Sequence, residues 1–274
     1  MVATSAAACG ALLAGAPEWL ARLFGIAELT GFRLAFGAFA ACLLVTTFLF
    51  ALLSPAVEAP RPVRRWSNPL RLPSRRPMFT LVGLFSVDAL GGALIMQSLV
   101  AYWFNTRFGL DVGSLAVVFF VSQLLSALSL WAAARIAARI GLLNTMVFTH
   151  IPASLLLIGA AFAPTATLAV VLWQARSLFS MMAVPTRDSY TMAIVGPDER
   201  VAMASLHMVG RSVASTVGPR LSTALWEAVS AAAPFVACGV LKIGYDLALF
   251  AYFRRVRPPE EVPGAAGSVA AKRE

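Results

Sequence analysis

VGSLAVVFFVSQLLSALSLWAAA, residues 112–134, contains no charged side chain. A helix needs about 20 apolar residues to cross the hydrocarbon core of a bilayer, and this run is long enough to do so. Further runs of the same kind lie on both sides of it. Residues 34–57 and 140–163 are charge-free, the latter containing Pro152, while 78–106 carries only Asp88 and 165–186 only Arg176. Residues 228–253 carry Lys242 and Asp246. The most polar candidate is 201–226, with His207, Arg211 and Arg220, but it is otherwise apolar and rich in small residues. The run 2–16 is short for a span and lacks the positive start of a secretory signal. The pattern predicts an all-α, polytopic membrane bundle of about eight transmembrane segments, the first and seventh being the weakest.

Composition agrees. The chain of 274 residues is 59% hydrophobic and only 13% charged, with a mean hydropathy of +0.78. A soluble domain is about one quarter charged, and surface-to-volume scaling leaves no fold of this size able to hide so much apolar surface from water. The net charge of +9 does not imply a nucleic-acid partner, because the basic residues sit in short clusters between apolar runs. Cys9, Cys42 and Cys238 are isolated in apolar stretches, without metal-ligand spacing or a disulfide framework. Neither a metal nor another cofactor is expected.

The basic clusters predict the orientation. Assigning alternate connections to the cytoplasm places Arg61, Arg64, Arg65, Arg71, Arg75, Arg76, Arg135, Arg139, Arg187, Arg200, Arg254, Arg255, Arg257, Lys272 and Arg273 inside. Only Arg22, Arg33 and Arg107 fall outside, and this asymmetry of fifteen to three follows the positive-inside rule with both termini cytoplasmic. Residues 58–77, EAPRPVRRWSNPLRLPSRRP, form a basic, proline-broken cytoplasmic linker. The linker separates two membrane segments (1–57) from a six-helix block (78–253), and 254–274 reads as a disordered cytoplasmic tail.

Charges inside a span are costly and usually face a partner or a watery cavity. Asp88 and Arg176 each lie about ten residues from a cytoplasmic helix end, roughly 15 Å deep, so the two could neutralise each other across a cavity. Arg211 reaches a similar depth and Asp246 a shallower one. These residues, with Gln97 as a hydrogen-bonding group, are the candidate substrate or proton pathway. The competing reading is a structural pair, or arginines reaching back to the interface. Gly91 and Gly92 allow close helix contact or a local break. His150 and His207 read as buried, hydrogen-bonded histidines, and Tyr102 and Trp103 as an interfacial aromatic belt. In VPTRDSY, residues 184–190, Pro185 ends a helix and sets Arg187 and Asp188 at the inner surface. GPDER, residues 196–200, reads as a turn and an acidic helix start, favoured by the positive helix N-terminus.

Signatures of membrane enzymes are missing: the chain has no HExxH and no GxSxG, and Tyr245–Asp246 lacks a GxGD partner. A glycine-rich phosphate loop is also absent. The chain is therefore not expected to be an enzyme or an ATP-driven pump.

Between the fourth and fifth segments, Arg135, Arg139 and Gly141 form part of a short connection. It is similar to the loop motif of the major facilitator superfamily, in which a Gly, an Asp-Arg pair, a second Gly and basic residues join two helices. Arg139 and Gly141 match the Arg and second Gly. Ala134 stands for the first Gly, Ala138 for the Asp, and Leu142 and Leu143 for the basic pair. The run ARSLFSMMAVPTRDSYTMAIVGPDER, residues 175–200, also resembles the family's tenth helix and following loop. The resemblance covers most of 34–257 and makes 78–253 the family's C-terminal six-helix half. It implies a secondary active transporter that moves a small solute by alternating access, often coupled to protons, in the cell's inner membrane. Twelve helices would be the family's full unit, so this chain is expected to be a truncated form, or to work with a second chain or copy. The alternative is a non-transporting membrane remnant or interaction protein.

Overall fold

The computed structural model describes residues 2–25, 27–53, 72–196 and 199–254. Among them are eleven helices and no strand. They are α1 (Val2–Leu13), α2 (Ala16–Phe24), α3 (Glu28–Ala51), α4 (Arg75–Leu94), α5 (Gln97–Phe108), α6 (Val112–Ile140), α7 (Leu142–Ala161), α8 (Ala166–Ser180), α9 (Ala183–Ile194), α10 (Arg200–Ala228) and α11 (Ala233–Phe253). Most of the linker read at 58–77, and the tail beyond Arg254, lie outside the described residues, as does Asp198 of the GPDER turn.

Among the described residues, six stretches are long and apolar enough to cross a membrane: Leu29–Ala51, Arg75–Phe108, Val112–Ile140, Leu142–Ala161, Ala166–Thr191 and Ala233–Phe253. The first and seventh of the eight expected segments fall short for different reasons. α1 has 12 residues, about 18 Å of helix. α10 is ample at 29 residues but too polar, carrying His207, Arg211 and Arg220 in its middle.

Two of the six stretches are broken helices. α4 stops at Leu94, and Ile95 and Met96 leave helical geometry before α5 starts at Gln97. The break frees the Leu94 carbonyl, which accepts a hydrogen bond from the Ser222 hydroxyl of α10 at 2.7 Å. α8 likewise gives way to α9 across Met181–Met182. Pro185 therefore sits in the first turn of α9 and does not end a helix, a position where its missing N–H costs nothing. The Arg135–Arg139 connection is also not a loop. Alanine, isoleucine and arginine carry α6 on to Ile140, and Gly141 alone joins α6 to α7, at φ +86°.

α10 lies along α4 because its facing residues are small: Gly210, Ala214, Gly218 and Ser222, spaced by four. A Cβ at Gly218 would stand 2.3 Å from the Ala93 Cβ, and one at Gly210 would stand 2.2 Å from the Ser86 Oγ. Such small-residue stripes let helix backbones approach within lipid. α11 meets α7 in the same way, where Gly239 lies under Ile158.

The packed helices hold two apolar cores. One gathers Leu94, Trp103, Phe104, Phe119, Leu157, Trp173 and Phe235; the other gathers Met78, Leu81, Phe85, Met146, Tyr190, Met203, Tyr245 and Leu249. Trp103, expected in an aromatic belt, is 1% exposed and central to the first core; Tyr102 beside it is exposed. The periodicity of α5 turns Trp103 inward against Phe104, Phe108 and Phe235. α3, by contrast, is apolar on every side and lies open along almost its whole length, touching α2 where Gly31 meets the Pro17 backbone. A helix of that kind has lipid or another apolar helix as its natural surroundings.

Candidate functional site

Between the two apolar cores lies a layer of charge. On α4, Asp88 falls between Phe85 of one core and Leu94 of the other. On α7, His150 falls between Met146 and Leu157. On α11, Lys242 falls between Cys238 and Tyr245. α9 contributes Arg187 and α11 contributes Asp246 one turn after Lys242. Lys242 Nζ donates to Asp88 Oδ1 at 2.6 Å, and Arg187 Nη1 donates to Asp88 Oδ2 at 3.2 Å. Lys242 Nζ also lies 3.4 Å from His150 Nε2, while His150 Nδ1 lies 3.1 Å from Asp246 Oδ1.

Donor chemistry orders this chain of contacts. A lysine ammonium can only donate, so His150 Nε2 accepts, and the ring proton sits on Nδ1 and is given to Asp246. With His150 neutral, Asp88 and Asp246 balance Lys242 and Arg187. Asp246 is 0% exposed, and its second oxygen, Oδ2, has no hydrogen-bond partner among the described residues. Gly91 leaves room for the Lys242–Asp88 pair: a Cβ there would stand 3.3 Å from Lys242 Cγ, and the lysine stem would have to give by a few tenths of an ångström.

The layer opens on one side into a cavity of about 400 Å³. Asp88, His150, Arg187 and Lys242 form one wall, and His207, Arg211 and Ser215 of α10 form the other; Gly92, the partner of Gly91, lines it as well. His207 is partly buried with its ring 5.3 Å from that of Phe85. A second cavity of about 260 Å³ holds Gln97, Gln123, Trp173 and Arg176. Ser180 and Met181, at the end of α8, border both.

The expected Asp88–Arg176 pair does not form. Arg176 has no ion pair among the described residues, and its guanidinium lies 4.7 Å from the Trp173 ring centroid. Helix rotation explains the error: equal depth brings two groups level, but α8 turns Arg176 toward α6 while α11 presents Lys242 to Asp88. Arg187 differs from its expected surface position too. It points inward with a side chain 13% exposed, whereas its neighbour Asp188, at 65%, remains outside. Of the candidate pathway residues, Asp88 and Arg211 line the larger cavity, Gln97 and Arg176 line the smaller, and Asp246 is buried behind His150. Lys242, His150 and Arg187 are the members whose importance single residues did not reveal. The spacing of Lys242 and Asp246, four apart on one helix face, was the available signal.

At the α6–α7 corner, Arg135 and Arg139 are both exposed. Arg135 stacks on Trp131 at 3.6 Å, and Arg139 has no ion pair among the described residues. Ala138 and Gly141 line an open hollow there, with Pro185 of α9 across from them. The corner thus holds the two basic residues and the glycine without an acidic partner. Elsewhere charges are tied to backbone ends. Glu199 is buried and accepts from the Ser74 and Gly196 N–H groups at 3.2 and 3.3 Å, linking the starts of α4 and α10. The bonds from Ser74 hold its carboxyl below the usual glutamate value. At the opposite end Asp111 caps α6 through the Ser114 N–H and also takes Arg22 of α2 at 3.0 Å; hydrogen bonding from the Ser114 side chain first, and from its backbone second, lowers the Asp111 pKa.

Neither a family model nor a curated protein matches the chain.

Proposed function

We propose that this chain is a secondary active transporter, or most of one, of the major facilitator type, moving a small solute across the inner membrane by alternating access with proton coupling. The observation that carries the reading is the balanced charge layer held between two apolar cores and open to a cavity. A layer this deep is costly to build. A transporter has a use for it, since ions and substrates bind near the midplane where broken helices expose backbone groups. The Asp246–His150–Lys242–Asp88 chain of contacts gives a proton a path of adjacent donors and acceptors. Two ties agree with an alternating topology: Arg22–Asp111 joins two segments expected on one side, and Ser74–Glu199 joins two expected on the other.

The test is flux. Purified protein in liposomes, loaded with a pH-sensitive dye and offered a panel of solutes, is expected to acidify or alkalinise the lumen with one of them. D88N should abolish that signal. Silence across the panel, or undiminished flux in D88N, counts against the reading. The second reading, a non-transporting remnant or interaction protein, draws on the open face of α3, and silence with a stably folded bundle would favour it.

A further inference from the structure

Charge is compensated on only one side of the cleft formed by the two adjoining cavities. Asp88 is shared by Lys242 and Arg187, and Asp246 by His150. Arg187 Nε also has Asp188 at 3.9 Å. Arg176 and Arg211 have neither an ion pair nor a hydrogen bond among the described residues; Arg176 lines the smaller cavity within the apolar stretch Ala166–Thr191, and Arg211, exposed on the more polar α10, lines the larger one. An uncompensated guanidinium is expensive at the depth of Arg176, and each of these two faces a space large enough for a small molecule. Two further observations bear on the occupant. α5 begins at Gln97 in the cleft without a side-chain cap, so its first-turn N–H groups and the positive end of its dipole face the same space. Beside Arg176 the wall is aromatic and apolar, with Phe119, Trp173 and Met181.

We infer that the cleft binds an organic carboxylate, with its charge held by Arg176 and Arg211 and its apolar body against Phe119 and Trp173. This rests on the transport reading and names its substrate class. The anion completes the compensation that the described residues lack: Arg176 and Arg211 supply bidentate N–H donors suited to carboxylate oxygens. A cation in this cleft would meet only carboxylates already taken up by Lys242, Arg187 and His150.

The experiment measures binding to the full chain in nanodiscs by tryptophan fluorescence and thermal stabilisation. Benzoate and succinate are compared with their uncharged counterparts, benzamide and succinamide. The acids are expected to bind and the amides not. R176Q and R211Q should each weaken benzoate or succinate binding roughly 10- to 100-fold, the loss of a charge-assisted hydrogen bond, and R176K should recover part of it. Equal responses to acids and amides, or acid binding indifferent to both substitutions, would overturn the assignment. The two proposals fail separately. Asp88-dependent flux of a neutral or cationic solute removes the anion site but not transport. Arginine-dependent acid binding without flux of any solute removes transport but not the site.

Discussion

The two sides of the cleft hold charge in opposite ways. Around Asp88, two carboxylates meet two cations and a histidine within 3.4 Å contacts, and the layer is neutral without any ligand. Around Arg176 and Arg211, neither guanidinium has an ion pair among the described residues: Arg176 lies over an aromatic ring, and Arg211 shares its hollow with Arg187 and Asp188 without pairing. The contrast separates what folding needs from what binding needs. A charge that the fold itself neutralises is tolerated as soon as the chain folds, and removing one partner strands the other. A charge that waits for a ligand is a standing cost, so removing it leaves the fold intact and harms only binding.

The largest expected effect comes from breaking the balanced side. D88L leaves Lys242 and Arg187 without their shared carboxylate and should destabilise the protein by about 3–5 kcal/mol, the usual consequence of orphaning a buried charge. Adding K242M should restore part of the loss, because the pair is then replaced by apolar groups. Chemical denaturation in detergent would measure both. Equal stability of D88L and wild type would mean that the layer is wet enough to screen its charges. H150F is next: it removes the only hydrogen bond of the Asp246 side chain among the described residues and should cost about 2–3 kcal/mol. A smaller loss in H150Q, whose amide can still donate to Asp246, would identify that bond as the cause.

Much of this contrast could be read from the sequence, and the missing part is physical. Apolar run lengths show a helical membrane protein, because backbone groups in lipid leave few alternatives. They also place Asp88 and Arg176 at one depth. Depth, however, is a coordinate along the helix, while partnership depends on rotation about it. Rotation is set by packing: the small stripe Gly210–Ala214–Gly218–Ser222 fixes α10 on α4, and Gly91 fixes the approach of Lys242. The stripe's spacing was visible in the sequence, but which helix it meets was not. The break at Ile95–Met96 follows Gly91 and Gly92, whose reading allowed a local break, whereas that at Met181–Met182 carries no proline or glycine at the break itself and had no such signal.

Glu199 sharpens the comparison with a third way of holding charge, on backbone N–H groups rather than on side chains. E199Q should cost about 1 kcal/mol. Its carboxyl is held below the ordinary 4.5, chiefly by the hydrogen bond from Ser74, so the wild type's advantage is present above that pH. The advantage should shrink as pH falls below 4.5 through the lowered value, because both forms are then uncharged at this position. A gap between the E199Q and wild-type melting temperatures that stays constant from pH 7 to pH 3 would show that the ionised form is not what ties α4 to α10.

The smallest effect on stability is expected at Arg176. R176Q gives up the contact over Trp173, worth about 0.5–1 kcal/mol, and relieves the cost of holding an uncompensated charge among apolar helices. The two oppose each other, so the unliganded protein should keep its stability within about 1 kcal/mol while its response to carboxylates falls. A loss of the D88L size would reveal a protein carboxylate facing Arg176, and the cleft would then be balanced on both sides. An unchanged melting temperature alone could mean that Arg176 does nothing. Joined to a lost ligand response, it says that the counter-charge of this arginine arrives with the solute.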